Sequence, residues 1–267
     1  MSIWKNLKKI LTMEWTFLKL SAIADLQVPF NLGVQFSNDI LWYSMQIILF
    51  ETIYLHVDSL GGWGIAEMRV FLGILFLVDA FQMILFAHNF DVFSEKIARR
   101  DLDLLLLRPV SSQQLMTSQK LQCGFLLNAI FALSWLLWSL SLLPGGFPWL
   151  RSLLILIVVP AALSIFYSTR LFFSTVALLI TRAEHFHDLY FTFFKMGQRP
   201  DHLYGPGVRY FILLVIPVGM IASFPTRVLV DPTDSLALPA LLAAALASLF
   251  AANCFWNWSV KRYMTIG

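Results

Sequence analysis

Charged residues are scarce in this chain. Of its 267 residues, 13% are charged, 58% hydrophobic and 15% aromatic, whereas soluble domains carry about 25% charged residues. The hydrophobic residues form runs of about 20, the length a helix needs to cross about 30 Å of hydrocarbon. This composition excludes an ordinary soluble domain and predicts a membrane protein with several spans. The net charge of +3 is too small to indicate a nucleic-acid partner.

Motifs of catalysis and metal binding are also missing. The two cysteines, Cys123 and Cys254, lie in apolar segments and provide neither a disulfide framework nor a metal site. No Gly-x-x-x-x-Gly-Lys-Ser/Thr loop, His-Glu-x-x-His or Gly-x-Ser-x-Gly occurs, so we expect no enzyme activity. His185 and His187 are residues that zinc accepts. Two residues apart on a helix they point in nearly opposite directions, which favours a polar interfacial turn over a metal site.

Six apolar segments predict six transmembrane helices, at 38–57, 68–90, 121–143, 152–180, 208–226 and 236–259. Residues 1–20 separate into an apolar face and a lysine-rich face, which predicts an interfacial amphipathic helix. Lys and Arg favour the cytoplasmic side, and placing both termini there puts 15 of the 19 basic residues inside. We therefore expect one all-α membrane domain over 1–267 with N-in, C-in topology.

The predicted connections differ between the two sides. External connections at 60–64 and 143–148 are short and contain glycine or proline, which is typical of reverse turns. The inner connections, 91–120 and 181–207, are longer, so contacts with partners are expected there. The external connection 225–237 is rich in proline and is predicted to dip partly into the membrane as a re-entrant segment.

The most informative inner stretch runs from 97 to 110. Four leucines, 104–107, lie between acidic and basic residues, too few to span, and Pro109 ends the element. We expect a helix of one to two turns whose leucines need a groove, because each exposed leucine forgoes about 1.5 to 3 kcal/mol of burial. The pattern alone favours packing under this protein's own helix ends over docking into a partner.

This stretch resembles the signature loop of the ABC-2 type permeases, in which an acidic-Leu-Asp-x-Leu-Leu-x-Arg/Lys-Pro-Val run lies between spans two and three. The matching residues are Ile97, Asp101, Leu102, Asp103, Leu105, Leu106, Arg108, Pro109 and Val110, whereas Arg100 replaces the usual glycine. Further matches follow in order: Gly62-Trp63 with Glu67, Arg199-Pro200 with Tyr204, Ile216-Pro217-Val218 with Phe224-Pro225, and Lys261 to Gly267.

The resemblance implies the membrane subunit of an ABC transporter, usually an exporter. We therefore expect a permease of the bacterial inner membrane that exports an amphipathic or lipid-like substrate by ATP-driven alternating access. The resemblance also implies a second permease chain, identical or related, and separate ATPase subunits that carry ATP and Mg²⁺, so this chain holds no cofactor. The short helix would be a coupling helix in an ATPase groove. Its expected coupling residues are Asp101, Leu102, Asp103, Leu105, Leu106, Arg108 and Pro109.

Several polar residues fall inside the predicted spans. Asp79 lies near the middle of the second span, and Gln82, Phe86 and Asn89 follow on the same face; Glu51 lies in the first span. A charge at mid-membrane costs about 2.5 to 3.5 kcal/mol or more, so such groups face protein or water. Two interpretations stay open: a packing face, which we favour, or a translocation path that includes Asp79, Gln82, Phe86 and Glu51.

Arg170, in the fourth span, lies at a different depth from Asp79. We therefore expect no direct pair between them and predict that Arg170 snorkels to the inner surface. The rival hypothesis is an ion-coupled secondary transporter in which Glu51 and Asp79 are the coupling acids. It is disfavoured because no inverted repeat of discontinuous spans is evident.

Overall fold

The computed structural model describes residues 16, 19–21, 23, 29–99, 103, 106–107, 111–144, 146–147, 149–176, 178–179, 184–231 and 233–266. This part of the chain is helical and contains no strand, apart from one isolated bridge between Leu60 and Trp63. The predicted all-α class is confirmed. The predicted interfacial helix over 1–20 lies outside these residues, except for Thr16, Lys19 and Leu20, which are helical.

Helix α1 spans Pro29–Tyr54, α2 Ile65–Ile97, α3 Ser112–Ser118, α4 Cys123–Ser141, α5 Trp149–Val176, α6 Glu184–Gly197, α7 Pro206–Val215, α8 Pro217–Val230 and α9 Ala237–Ile266. Four of them, α2, α4, α5 and α9, are long and apolar enough to cross a membrane. Helices α7 and α8 pass the same test together, although they are bent by 90°. Six spans are thus not confirmed: the described helices give four, or five with the bent pair.

Helix α2 forms the centre of the bundle and packs against α1, α4, α5 and α8. Nearly all its residues from Met68 to Gln82 are buried. Gly73 allows a close approach to α4, since a Cβ there would lie 2.9 Å from Cα of Leu136; small residues serve helix packing in membranes in this way. A π-helical turn, Met83–Ala87, interrupts α2.

The two ends of the bundle are built differently. At one end, which we call the turn end, lie the predicted short turns, where Gly61, Gly62 and Gly146 have positive φ angles of 59°, 90° and 82°. At the other, the loop end, the side chain of Asn89 donates to the carbonyl of Lys120 at 2.7 Å and accepts from its N–H at 3.1 Å. This exchange ties the end of α2 to the start of α4.

Helix α6 runs antiparallel to α5, back toward the turn end. Phe194 contacts Phe166 with 4.9 Å between ring centroids, and Phe193 contacts Phe173 at 5.8 Å. The segment that follows α6 reaches the turn between α1 and α2, because His202 touches Trp63. The predictions of 181–207 as one inner connection and of 60–64 as an external turn therefore cannot both hold, since His202 contacts Trp63.

Helices α7 and α8 form a hairpin with both far ends at the turn end. The bend lies at Ile216, followed by Pro217, which has no N–H to continue the ladder of α7. The predicted straight span 208–226 is therefore broken in its middle. The helix also continues through Pro225 to Val230, so the bend lies before 225–237, where the re-entrant segment was predicted.

Candidate functional site

A polar network that is largely buried, but has the half-exposed side chain of Asp91 at its edge, connects α1, α2 and α5. Tyr43 Oη donates to Asp79 Oδ2 at 3.2 Å, and Gln82 Nε2 donates to Asp79 Oδ1 at 3.3 Å. Arg170 Nη1 donates to Gln82 Oε1 at 3.2 Å, and Arg170 Nη2 donates to Asp91 Oδ1. We call Tyr43, Asp79, Gln82, Asp91 and Arg170 the Arg170 network. Gln82 bridges Asp79 and Arg170, which make no direct contact, as expected.

Arg170 does not snorkel. It is only 2% exposed, and its guanidinium carbon lies 5.3 to 5.6 Å from the ring centroids of Phe90, Tyr190 and Phe191. Cation–π contacts and charge-assisted hydrogen bonds both favour guanidinium in such a site. The prediction that this side chain extends to the inner surface is therefore wrong: its charge is held inside the bundle by α2 and α6.

The residues proposed for a translocation path do not all meet. Asp79 and Gln82 belong to the Arg170 network, and Phe86 packs beside them against Phe166 and Tyr167 on α5. Glu51 instead forms a bidentate pair with Arg69, at 2.6 Å to Nε and 2.9 Å to Nη2, next to the turn end. Their role in transport stays a prediction.

The coupling segment is described only in part. Asp103 is helical and exposed, and Leu106 is helical and half-buried against the main hydrophobic core. Leu107 follows and is 82% exposed. Asp101, Leu102, Leu105, Arg108 and Pro109 lie outside the described residues.

A second polar cluster, which sequence reasoning missed, lies at the turn end. Asp201 is completely buried and accepts hydrogen bonds from Arg209 Nε at 2.8 Å and Arg227 Nη2 at 2.5 Å. Its backbone N–H donates to Ser223 Oγ at 3.1 Å. Since Arg209 lies on α7 and Arg227 on α8, one carboxylate holds both arms of the hairpin. The sequence signal here was the family match at Arg199-Pro200 and Tyr204, on either side of Asp201.

His202 extends this cluster to the turn before α2. Its ring lies edge-on to Trp63, and its Nδ1 is 3.9 Å from Asp201 Oδ1. Burial lowers the pKa of His202 below its ordinary value, with the charge of Asp201 opposing this. A Cβ at Gly61 would lie 2.0 Å from His202 Cδ2, so only glycine leaves room for the ring.

Metal binding finds no support among the described side chains, where no group of three His, Cys, Asp or Glu residues could hold an ion. Helix α6 includes His185 and His187, whose side chains lie outside the described residues.

Four long apolar helices and a bent helix pair, packed around a polar network, are the features of a multi-pass membrane protein. The family model of the ABC-2 family transporter proteins matches residues 40–267. The chain belongs to this family and is a membrane component of an ABC transporter, which confirms the resemblance found in the loop. The family implies ABC ATPase partners. The comparisons with curated proteins and with solved structures found no match.

Proposed function

We propose that this chain is the permease subunit of an ATP-driven exporter in the bacterial inner membrane. It moves an amphipathic or lipid-like substrate by alternating access. A second permease chain, identical or related, and two ATPase subunits complete the transporter. The ATPase subunits bind ATP and Mg²⁺, and this chain supplies the path and the contact that couples it to them. Family membership and the exposed leucine of the coupling segment support this proposal.

The proposed topology has six crossings, made by α1, α2, α4, α5, α6 and α9, with both termini inside. Helices α7 and α8 enter from the outside and return. Lys195 in the last turn of α6, together with Arg199 and Arg209 on either side of Asp201, then lies on the outer side. Most basic residues still lie at the loop end or the termini, which keeps that side inside by the positive-inside rule.

Leu107 is the observation that carries the coupling proposal. Its neighbour Leu106 packs against this chain's own core, whereas Leu107 is 82% exposed. Packing within this chain thus fits Leu106, and docking into a partner fits Leu107. An exposed leucine outside the membrane gains about 1.5 to 3 kcal/mol on entering a groove, and an amphipathic helix in a hydrophobic groove is a recurring way to bind a partner.

The test replaces Leu107 with Asp in the complete transporter. A charge placed in a desolvated contact has no partner there and weakens it. The Leu107→Asp variant should insert and fold, because this side chain is exposed in the chain itself. It should lose co-purification with the ATPase subunits and substrate-stimulated ATP hydrolysis.

Ser111→Asp is the matched control. It adds the same charge to the same segment, at the N-cap of α3, where the Ser111 side chain accepts from the N–H of Gln114 and Asp caps equally well. This control should behave as wild type. If Leu107→Asp co-purifies and transports normally, the coupling role of this segment is wrong.

A further inference from the structure

A cavity of about 530 Å³ lies at the turn end, between the start of α2, the connection from α4 to α5, the start of α5 and the end of α8. Two of its described lining residues carry opposite charges: Glu67 in the first turn of α2 and Arg151 in the first turn of α5. Phe147 and Trp149 add aromatic rings to the wall, with 4.6 Å between their centroids. This cavity, which we call the turn-end pocket, therefore offers one occupant a carboxylate, a guanidinium group and aromatic rings.

The two charges of the turn-end pocket have no countercharge within the described part of the chain. Among these residues, Glu67 forms no ion pair and its carboxylate accepts no hydrogen bond. Arg151 Nη1 donates to the carbonyl of Val230 at 3.2 Å, and a guanidinium group has further N–H donors. The carboxylate of Asp231 accepts from the N–H and the hydroxyl of Thr233, at 2.8 and 2.7 Å, and forms no ion pair with Arg151. Both charged groups thus remain available to a ligand.

The turn-end pocket lies where a membrane helix begins. Helix α5 starts at Trp149 and is long and apolar enough to cross a membrane. Trp149 and Leu150, which also line the pocket, are 78% and 84% exposed. Tryptophan is enriched where the membrane meets water, because its ring has an apolar body and a polar N–H. At this depth the pocket is reached by the headgroup of a lipid whose acyl chains lie along the exposed leucine.

Each charge selects one part of that headgroup. The Glu67 carboxylate needs a hydrogen-bond donor, which a primary ammonium group provides and a quaternary one does not. The free N–H groups of Arg151 suit a phosphate. We infer that the turn-end pocket binds the headgroup of phosphatidylethanolamine, with the ammonium group on Glu67 beside the aromatic rings and the phosphate on Arg151. Binding rests on the pocket alone; only the assignment of this lipid to the outer leaflet rests on the topology proposed above.

The experiment uses the full-length chain in nanodiscs of phosphatidylcholine, without ATP or ATPase subunits. Three photocrosslinking probes carry the same diazirine-bearing acyl chain on an ethanolamine, a choline or a glycerol phospholipid, each at the same low fraction of the lipid. Labelled peptides from the start of α5 are then quantified. The ethanolamine probe should label them about tenfold more than the other two, the effect of one charge-assisted hydrogen bond.

Glu67→Gln keeps the size of the side chain and removes its charge. This variant should lower labelling by the ethanolamine probe about tenfold, to the level of the choline probe. Asp58→Asn is the matched control, because Asp58 is an exposed carboxylate in the turn before α2 and is not among the described lining residues. It should keep the preference of the wild type.

Two further variants separate ligand binding from a purely structural role. Arg151→Gln should lower labelling by all three probes, because each of them carries a phosphate. Glu67→Lys gives the turn-end pocket two positive charges and should shift its preference to the anionic phosphatidylglycerol probe. Loss of a structural contact would not exchange one headgroup for another.

Two results would overturn the inference: equal labelling by the ethanolamine and choline probes, or a preference that is unchanged in Glu67→Gln. Glycerophosphoethanolamine has the same headgroup without acyl chains, so an excess of it should leave the labelling largely intact. Complete displacement by it would assign the pocket to a soluble zwitterion and contradict the lipid assignment. The assay needs no ATPase, so its failure leaves the exporter proposal standing, and a Leu107→Asp variant that loses coupling should keep the lipid preference.

Discussion

The ring of His202 lies edge-on against the ring of Trp63, with 4.4 Å between their centroids. Trp63 belongs to the turn before α2, and His202 follows α6. The two segments therefore lie at the same end of the bundle, although hydropathy and charge predict them on opposite sides of the membrane. This contact makes α6 a returning helix and places Asp201 and its two arginines at the turn end.

Cysteine labelling tests this arrangement in a chain without Cys123 and Cys254. Cysteines introduced at Gly62 and Gly205 should react with a membrane-impermeant reagent in intact cells, whereas one at Gln113 should react only after permeabilisation. A Cβ at Gly62 or Gly205 has nothing within 4 Å, so the new side chain meets no neighbour at either position. The positive φ of Gly62 strains a cysteine there by about 1 to 2 kcal/mol. Labelling of Gly205→Cys only after permeabilisation would restore the inner connection predicted from sequence.

Gly61→Ala should destabilise the protein more than Gly62→Ala. Both positions have positive φ, which costs alanine about 1 to 2 kcal/mol. Only at Gly61 would the new Cβ overlap His202, at 2.0 Å from Cδ2. The apparent melting temperature in detergent measures the difference. Adding His202→Ala to Gly61→Ala should recover the excess loss, and no recovery would show that the overlap is not its cause.

Acidification should destabilise the protein partly through His202. Burial lowers its pKa in the folded state from the ordinary 6.5, so the unfolded chain binds the proton first as the pH falls. Its contribution to stability is therefore present above about pH 6.5 and declines below it. The neighbouring charges are Asp201, Arg209 and Arg227. Thermal unfolding between pH 7.5 and 5 should show a smaller loss for His202→Gln than for wild type; equal losses would contradict this.

Asp201→Asn should cost about 3 to 5 kcal/mol, the usual loss when one member of a buried ion pair is removed. Two arginines then share a site without a countercharge. Arg227→Gln should cost more than Arg209→Gln, because the side chain of Arg227 is 16% exposed and that of Arg209 is 40% exposed. Thermal unfolding in detergent checks the order, and the reverse order would mean that burial does not set these costs.

Arg170→Lys should lower stability clearly, although it keeps the charge. The lysine ammonium group lacks the planar guanidinium geometry. It cannot donate to Gln82 and Asp91 at once while its faces contact aromatic rings. Arg99→Lys is the matched control, since Arg99 pairs with Glu95 in an exposed i,i+4 contact and such pairs contribute little. Melting temperatures of both variants in detergent give the comparison. Equal effects would show that the Arg170 network is not specific for guanidinium.

Local sequence predicted the features that depend on one stretch of chain. The predicted spans 68–90, 121–143, 152–180 and 236–259 coincide with α2, α4, α5 and α9, because the length of an apolar run is a local property with a direct physical meaning in lipid. Glycine likewise indicated the turns with positive φ, because other residues are strained there. Family membership followed from a short loop motif and a few matches in chain order.

Tertiary contacts decided the rest. Helix α6 contains Asp188 as well as aromatic residues, so its sequence reads as a polar connection until Phe194 and Phe166 are seen to pack. A run such as 208–226 is equally apolar whether it is straight or bent. The 90° bend between α7 and α8 and the hydrogen bonds of Asp201 to both helices appear only in the tertiary structure. Arg170 on α5 forms a hydrogen bond with Gln82 on α2, a residue far earlier in the sequence. Hydropathy measures how each residue interacts with lipid or water. The packing of α6, the bend between α7 and α8 and the contacts of Arg170 depend instead on which residues from distant parts of the chain take the place of lipid or water.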